Sequence, residues 1–260
     1  MSAEPFIPEV KFLPADLETE AGLMYKFSIP GKSPWLDVFY RVYPRLKEIH
    51  QNAKSEEEAR LECRALTERT IKNNHEAIVR AQDSIQKDWD TVGSEFLKTL
   101  AEHFETAWPV DKTQIVGYVS ILSVNPRFLD SYSFCVNYLN LKSARETIAH
   151  EIVHFLWFKK WKEVFPEMAR DTYERPHLVW RLSEVMDPII LQCDPKIKEL
   201  IKPEKWGYKS FEGLKIGETS MTEHFSRIYR DCLEKKTSFE DTLKILWKEA
   251  QEHRQVLEGF

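Results

Sequence analysis

Apolar and polar positions alternate between two periods along this chain. From Trp35 to His50, Leu36, Phe39, Tyr40 and Tyr43 recur at helical spacing until Pro44 disturbs the pattern. Ser55-Glu-Glu-Glu58 reads as a capping box, and a long charged helix should follow it, with Leu61, Leu66, Ile71, Ile78 and Ile85 only loosely periodic. A further helix is predicted from Thr91 to Trp108, carrying Phe96, Leu97, Leu100 and Phe104 on one face. After Pro109 the period changes. Thr113 to Leu122 is rich in β-branched residues and reads as a strand, and Asn125-Pro126 marks a turn. Ser131 to Tyr138 then alternates, with Tyr132, Phe134, Val136 and Tyr138 on one, drier side. As an edge strand, the stretch Ser131–Asn140 could hold an extended peptide by strand addition. Residues 1–33, punctuated by Pro5, Pro8, Pro14, Gly22, Pro30 and Gly31, should be mostly irregular.

The remainder reads as helical. Ser143-Ala-Arg-Glu146 is a second capping box and opens a helix to about Lys160. Pro176 suits the first turn of the next helix, which runs through Leu178, Val179, Leu182, Val185 and Met186 until Pro188 kinks or ends it. Ser220-Met-Thr-Glu223 and Ser238 start two more. The fold class is therefore α+β, predominantly helical, with a small sheet. An N-terminal extension and helical region over residues 1–90 precedes a domain over 91–260, or the two form one continuous domain.

Composition narrows the function. With 42% hydrophobic and 30% charged residues, the 260-residue chain can bury a sizeable core. Its formal net charge of -5 argues against nucleic acid as a partner. Gly is scarce, and neither GxGxxG nor GxxxxGK[ST] occurs. No apolar run approaches the roughly 20 residues that span a bilayer, so no membrane partner is expected. The N-terminus lacks the basic and apolar regions of a signal peptide. Cys63, Cys135, Cys193 and Cys232 lie far apart and form no CxxC pair, which fits a reducing, cytoplasmic setting.

His150-Glu151-Ile-Val-His154 is an HExxH motif inside a predicted helix. Four residues advance an α-helix by about 400°, so both imidazoles share one face, close enough to bind one Zn²⁺. Glu151 lies on the edge of that face, where it can act as general base towards water without itself being a ligand. Ile148, Ile152, Val153, Leu156 and Trp157 make most of the helix circumference apolar, as in a central helix. A chance HExxH arises in about 3 chains in 100 of this composition, and such accidents do not usually fall in a buried helix just after a pair of strands.

The third ligand is not local. The positions where a metzincin continues with Gly and His hold Trp157 and Lys160. Glu184, among Val179, Leu182, Val185 and Met186, is a carboxylate whose burial is costly unless it is paired or bound to metal. Pro188 lacks the N–H that would bond the Glu184 carbonyl, which should distort the helix there. Glu174 is the competing candidate; Arg175-Pro176 behind it suits a helix start as well.

An HExxH on one helix with a Glu from a downstream helix resembles the gluzincin zinc metallopeptidases, most nearly the small minigluzincins. The resemblance covers about Thr91 to Cys193. It implies a zincin-like core of backing helix, short twisted sheet, active-site helix and glutamate helix. It also implies one Zn²⁺ per chain held by His150, His154 and Glu184, a peptide or protein substrate, and Glu151 as base. No GxMEN or NExxSD motif occurs, although Glu184 and Asp187 leave a fainter echo of the latter. In such families an Asp near the ligand Glu often holds a ligand His in its tautomer; Asp187 suits this, and Glu146 competes. The family also implies an oxyanion donor downstream of the ligand Glu. Tyr208, His224 and Tyr229 are candidates, with His224 placed foremost as a catalytic residue; His177 and Arg181 share the face of Glu184. The alternative from another class is a non-catalytic helical interaction protein with a structural or vestigial zinc site.

Overall fold

Helix starts are set by local side-chain chemistry. Ser55 accepts from the Glu58 N–H at 3.1 Å and opens α4 (Glu56–Trp89). Ser220 and Ser238 do the same for α9 (Met221–Glu234) and α10 (Phe239–Glu252), at 3.2 Å and 3.1 Å. Pro44 divides the helical stretch before Ser55 into α2 (Leu36–Val42) and α3 (Arg45–Asn52). α5 spans Gly93–His103. The computed structural model describes residues 5–204, 207, 211 and 213–259. It is an α+β fold, 63% helical, with a small sheet.

The chain divides into two compact units, Met1–Glu9 with Val92–Thr113 and Ala149–Phe260, and Val10–Thr91 with Gln114–Ile148. The segment 114–148 thus belongs with the N-terminal helices.

In the unit built from 10–91 and 114–148, residues 10–28 are mostly regular structure, against the expectation of an irregular N-terminal stretch. They form β1 (Glu9–Pro14) and α1 (Leu17–Ser28). Asp16 caps α1 by accepting from the Thr19 N–H at 2.9 Å, a local signal that the surrounding prolines obscure. With β2 (Gln114–Ser120), β3 (Arg127–Phe128) and β4 (Ser133–Asn137), β1 makes a four-stranded sheet in the order β1-β2-β4-β3. β1 lies at the edge, and α4 supplies hydrogen-bonding partners to it. Gln86 accepts from the Phe12 N–H at 2.9 Å and donates to the Val10 carbonyl at 3.2 Å, while Gln82 donates to the Phe12 carbonyl at 3.0 Å. Gly117 in β2 leaves room for the Phe12 ring, which a Cβ there would meet at 2.4 Å.

Two sequence expectations change here. β2 and β4 pair in parallel, with Val116 opposite Ser133 and Ser120 opposite Asn137. β4 is bordered by β2 and by the antiparallel β3, so Ser131–Asn140 is not an edge strand, and residues 133–136 are buried on both faces. The buried stripe of α4 also differs. It runs through Ala59, Cys63 and Thr67, then Ile78, Ala81, Ile85 and Trp89, while Leu61 is exposed. Small residues there suit the close approach of α1.

In the unit that holds 149–260, the second part of α6 (Ala144–Val164) and α7 (Leu178–Cys193) form the core. α7 is buried at every position except Trp180 and Cys193. Pro176 precedes this helix, with His177 as its N-cap, and Pro188 neither ends it nor stops its burial. α8 (Pro195–Ile201), capped by Asp194, and α11 (Arg254–Leu257) follow no signal read from the sequence, and β5 (Lys215–Ile216) pairs antiparallel with β6 (Thr219–Ser220).

Glu20 on α1 is 2% exposed. Its Oε1 accepts from the Ile121 N–H at 3.1 Å, while Oε2 is buried with no hydrogen-bond partner among the described residues. Burial pushes its carboxyl up to about 7, against the hydrogen bonds of Ser120 and Ile121. The folded state therefore favours neutral Glu20. Its stabilising contribution is full below the ordinary carboxylate pKa of 4.5 and is lost as pH rises through about 7. Denaturant titrations between pH 4.5 and 7.5 should show the parent losing about 3 kcal/mol relative to Glu20→Gln. Parallel curves for the two proteins would contradict this.

Candidate metal centre

His150 and His154 sit one turn apart in α6, so the helix turns both imidazoles to one side. Their ring centroids are 4.9 Å apart and their planes nearly perpendicular, at 88°. His154 is fully buried and stacks on Phe158 at 5.8 Å; His150 is half-buried. On α7, Glu184 and Asp187 are three residues apart and present their carboxylates to these rings. Glu184 spans both, with Oε2 3.5 Å from His150 Nε2 and Oε1 3.5 Å from His154 Nε2. Asp187 Oδ2 lies 2.7 Å from Nδ1 of His154.

Two carboxylates thus compete for a third ligand position. His150, His154 and Asp187 offer donor atoms within 4.8 Å of one another, so this trio alone could hold an ion. The chemistry of the ring favours Glu184. Asp187 faces Nδ1 of His154, the nitrogen pointing away from the Nε2 that Glu184 meets. A carboxylate there favours the tautomer with its proton on Nδ1 and leaves the Nε2 lone pair available. Ligands held tetrahedrally at about 2.0–2.2 Å from a zinc ion stand roughly 3.3–3.5 Å apart. The two 3.5 Å separations match that spacing and are long for hydrogen bonds. Two imidazoles and one carboxylate suit a borderline cation such as Zn²⁺, whereas Ca²⁺ and Mg²⁺ take oxygen. The residues fit the ion.

The electrostatics call for a positive charge in the same place. Burial opposes a charged His150, yet Glu184, Glu151 and Asp187 outweigh it and raise the imidazolium to about 9. Glu151 is buried in the same turn of α6 and near enough for its charge to contribute to that rise.

The other sequence candidates lie elsewhere. Glu174 is exposed and accepts from Arg170 at 3.2 Å, as the C-cap of a short 3₁₀ turn. Glu146 is half-buried on the first turn of α6. His177 is exposed at the start of α7. Arg181 donates to the carbonyls of Pro176 and Leu257, each at 2.9 Å, and so ties the start of α7 to α11. Tyr208 lies outside the described residues. Tyr229 is buried, and its hydroxyl meets His103 Nε2, whose Nδ1 is 3.0 Å from Asp194. Burial drives the Tyr229 phenol well above its ordinary range. His224 Nε2 lies 2.6 Å from Glu249 Oε1, in a group that also includes His253.

Sequence reasoning overlooked His103, Glu249 and His253. The i,i+4 spacing of Glu249 and His253 was a usable signal. Nothing local marks His103, because Tyr229 is 126 residues away.

With Zn²⁺ as probe and a chromophoric chelator as competitor, Glu184→Ala should weaken binding far more than Glu174→Ala, which should leave it within about twofold of the parent. Asp187→Asn keeps the shape but weakens the hold on Nδ1, and should cost about 10–100-fold. If Glu174→Ala proves the more damaging change, the assignment of Glu184 fails. Compared with protein-family models, with curated proteins and with solved structures, the chain matches none.

Proposed function

We propose that the chain is a zinc-dependent peptide hydrolase of gluzincin type. In this reading α5, the four-stranded sheet, α6 and α7 correspond in chain order to the backing helix, sheet, active-site helix and glutamate helix of a zincin-like core. The observation that supports it most directly is the Glu184 carboxylate spanning the two HExxH imidazoles at 3.5 Å each.

His150, His154 and Glu184 would hold the ion, and Asp187 would fix the ring of His154 from behind. When bound, Zn²⁺ supplies a Lewis acid and lowers the pKa of water towards about 7. Glu151, a carboxylate buried beside the histidines, would accept the proton of the attacking water and return it to the leaving amine. No step is assigned to His224, because its Nε2 is engaged by Glu249.

Glu151→Gln separates catalysis from metal-held architecture, since it preserves shape and removes the base. Zinc content should survive, and hydrolysis of a mixed peptide library should fall by about 10²–10⁴. Undiminished hydrolysis in the variant would refute the role of Glu151. Zinc retained in both proteins with hydrolysis in neither would favour the non-catalytic interaction protein.

A further inference from the structure

A second set of donors lies in the same unit, on α9 and the end of α10. The Ser220 cap places His224 in the first turn of α9. Glu249 and His253 are four residues apart, at the last turn and C-cap of α10, and therefore share a face. Their side chains converge on His224. Glu249 Oε1 lies 2.6 Å from His224 Nε2 and 3.1 Å from His253 Nε2, and the two rings meet at 5.3 Å between centroids with planes 79° apart. The three donor atoms all lie within 4.8 Å of one another.

We propose that His224, Glu249 and His253 form a second site, for a divalent transition cation of the zinc type, which clips α9 to the C-terminal end of α10. The donor set is two imidazole nitrogens and a carboxylate oxygen, a combination that favours zinc over Ca²⁺ or Mg²⁺. The two imidazoles come from different helices and both turn Nε2 towards one oxygen. That convergence is what a shared cation requires. Separating the Nε2 and Oε1 atoms to the roughly 3.3 Å typical of ligands on one zinc needs shifts under about 1 Å. All three side chains are half-buried, so solvent can fill a fourth position and the ion can enter directly. That same exposure makes the site weaker than the buried centre on α6 and α7. It joins the start of α9 to the end of α10, at the ends far from their connecting turn at Lys235–Ser238, and so acts as a staple.

The test titrates Zn²⁺ into the full-length parent and into His224→Gln/His253→Gln, with binding read by native mass spectrometry and chelator competition at pH 7.5. The parent should bind one equivalent more than the double variant. This difference holds whether or not the His150–His154 centre is filled, so it fails or stands independently of that reading. A His150→Ala/His154→Ala protein should keep the second equivalent, and Zn²⁺ should raise its Tm; adding His253→Gln should abolish the rise. Mg²⁺ in excess should not displace the ion. Should the double variant not fold, His253→Gln alone, at a half-exposed helix end, should weaken that equivalent at least tenfold. Equal stoichiometry in parent and double variant, unchanged affinity in His253→Gln, or displacement by Mg²⁺ would overturn the site.

Discussion

Glu184 and Asp187 place two carboxylates on a helix that is buried along almost its whole length, and the core of the C-terminal unit depends on how that charge is met. An isolated carboxylate in such surroundings costs several kcal/mol. His150 and His154 meet it from α6, and the encounter allows one register. A shift of one residue along α7 moves a side chain by about 1.5 Å and turns it by about 100°, which would carry both carboxylates off the rings. Apolar packing around Leu182, Met186, Ile152 and Leu156 is less particular, because such side chains tolerate several arrangements. The polar cluster selects one arrangement among those that hydrophobic burial allows.

The supports of that cluster are visible in α7 itself. Pro188 removes the N–H that would bond the Glu184 carbonyl, at a cost of about 3 kcal/mol in an ordinary helix interior. The helix nonetheless runs on to Cys193, because Ile189, Ile190 and Leu191 are all buried beyond the proline. Arg181, one turn before Glu184, does not enter the cluster. It spends its guanidinium on two backbone carbonyls and anchors the start of the helix to the C-terminal residues. The positions around Glu184 are thus held from both sides.

The two His–His–Glu groups carry the same donors in different surroundings. On α6 and α7, His154 and Glu184 are buried and His150 is half-buried, and a second carboxylate backs the His154 ring. Low exposure strengthens every electrostatic interaction there. On α9 and α10 the donors are half-buried, and both rings turn to one shared carboxylate. The two groups differ in burial more than in the kind of donor they offer.

By itself, the sequence determined what is decided within a turn or two of backbone. Ser55, Ser220 and Ser238 cap the helices they announce, Pro44 breaks the one it interrupts, and the spacing of His150 and His154 puts two rings on one face. These are contacts between residues three or four apart, and their geometry is nearly independent of the rest of the chain. Only the tertiary structure decided what depends on distant partners. Burial at both faces of β4 followed from its place between β2 and β3, and the strand β1 from pairing with β2 and from glutamines on α4. Glu184 and Glu174 were both plausible in sequence; one is brought to the imidazoles and the other is turned out to Arg170. His224 is brought beside Glu249 and His253, residues 25 and 29 positions further along the chain. A side chain's local setting says what it can bind, and long-range packing says what it meets.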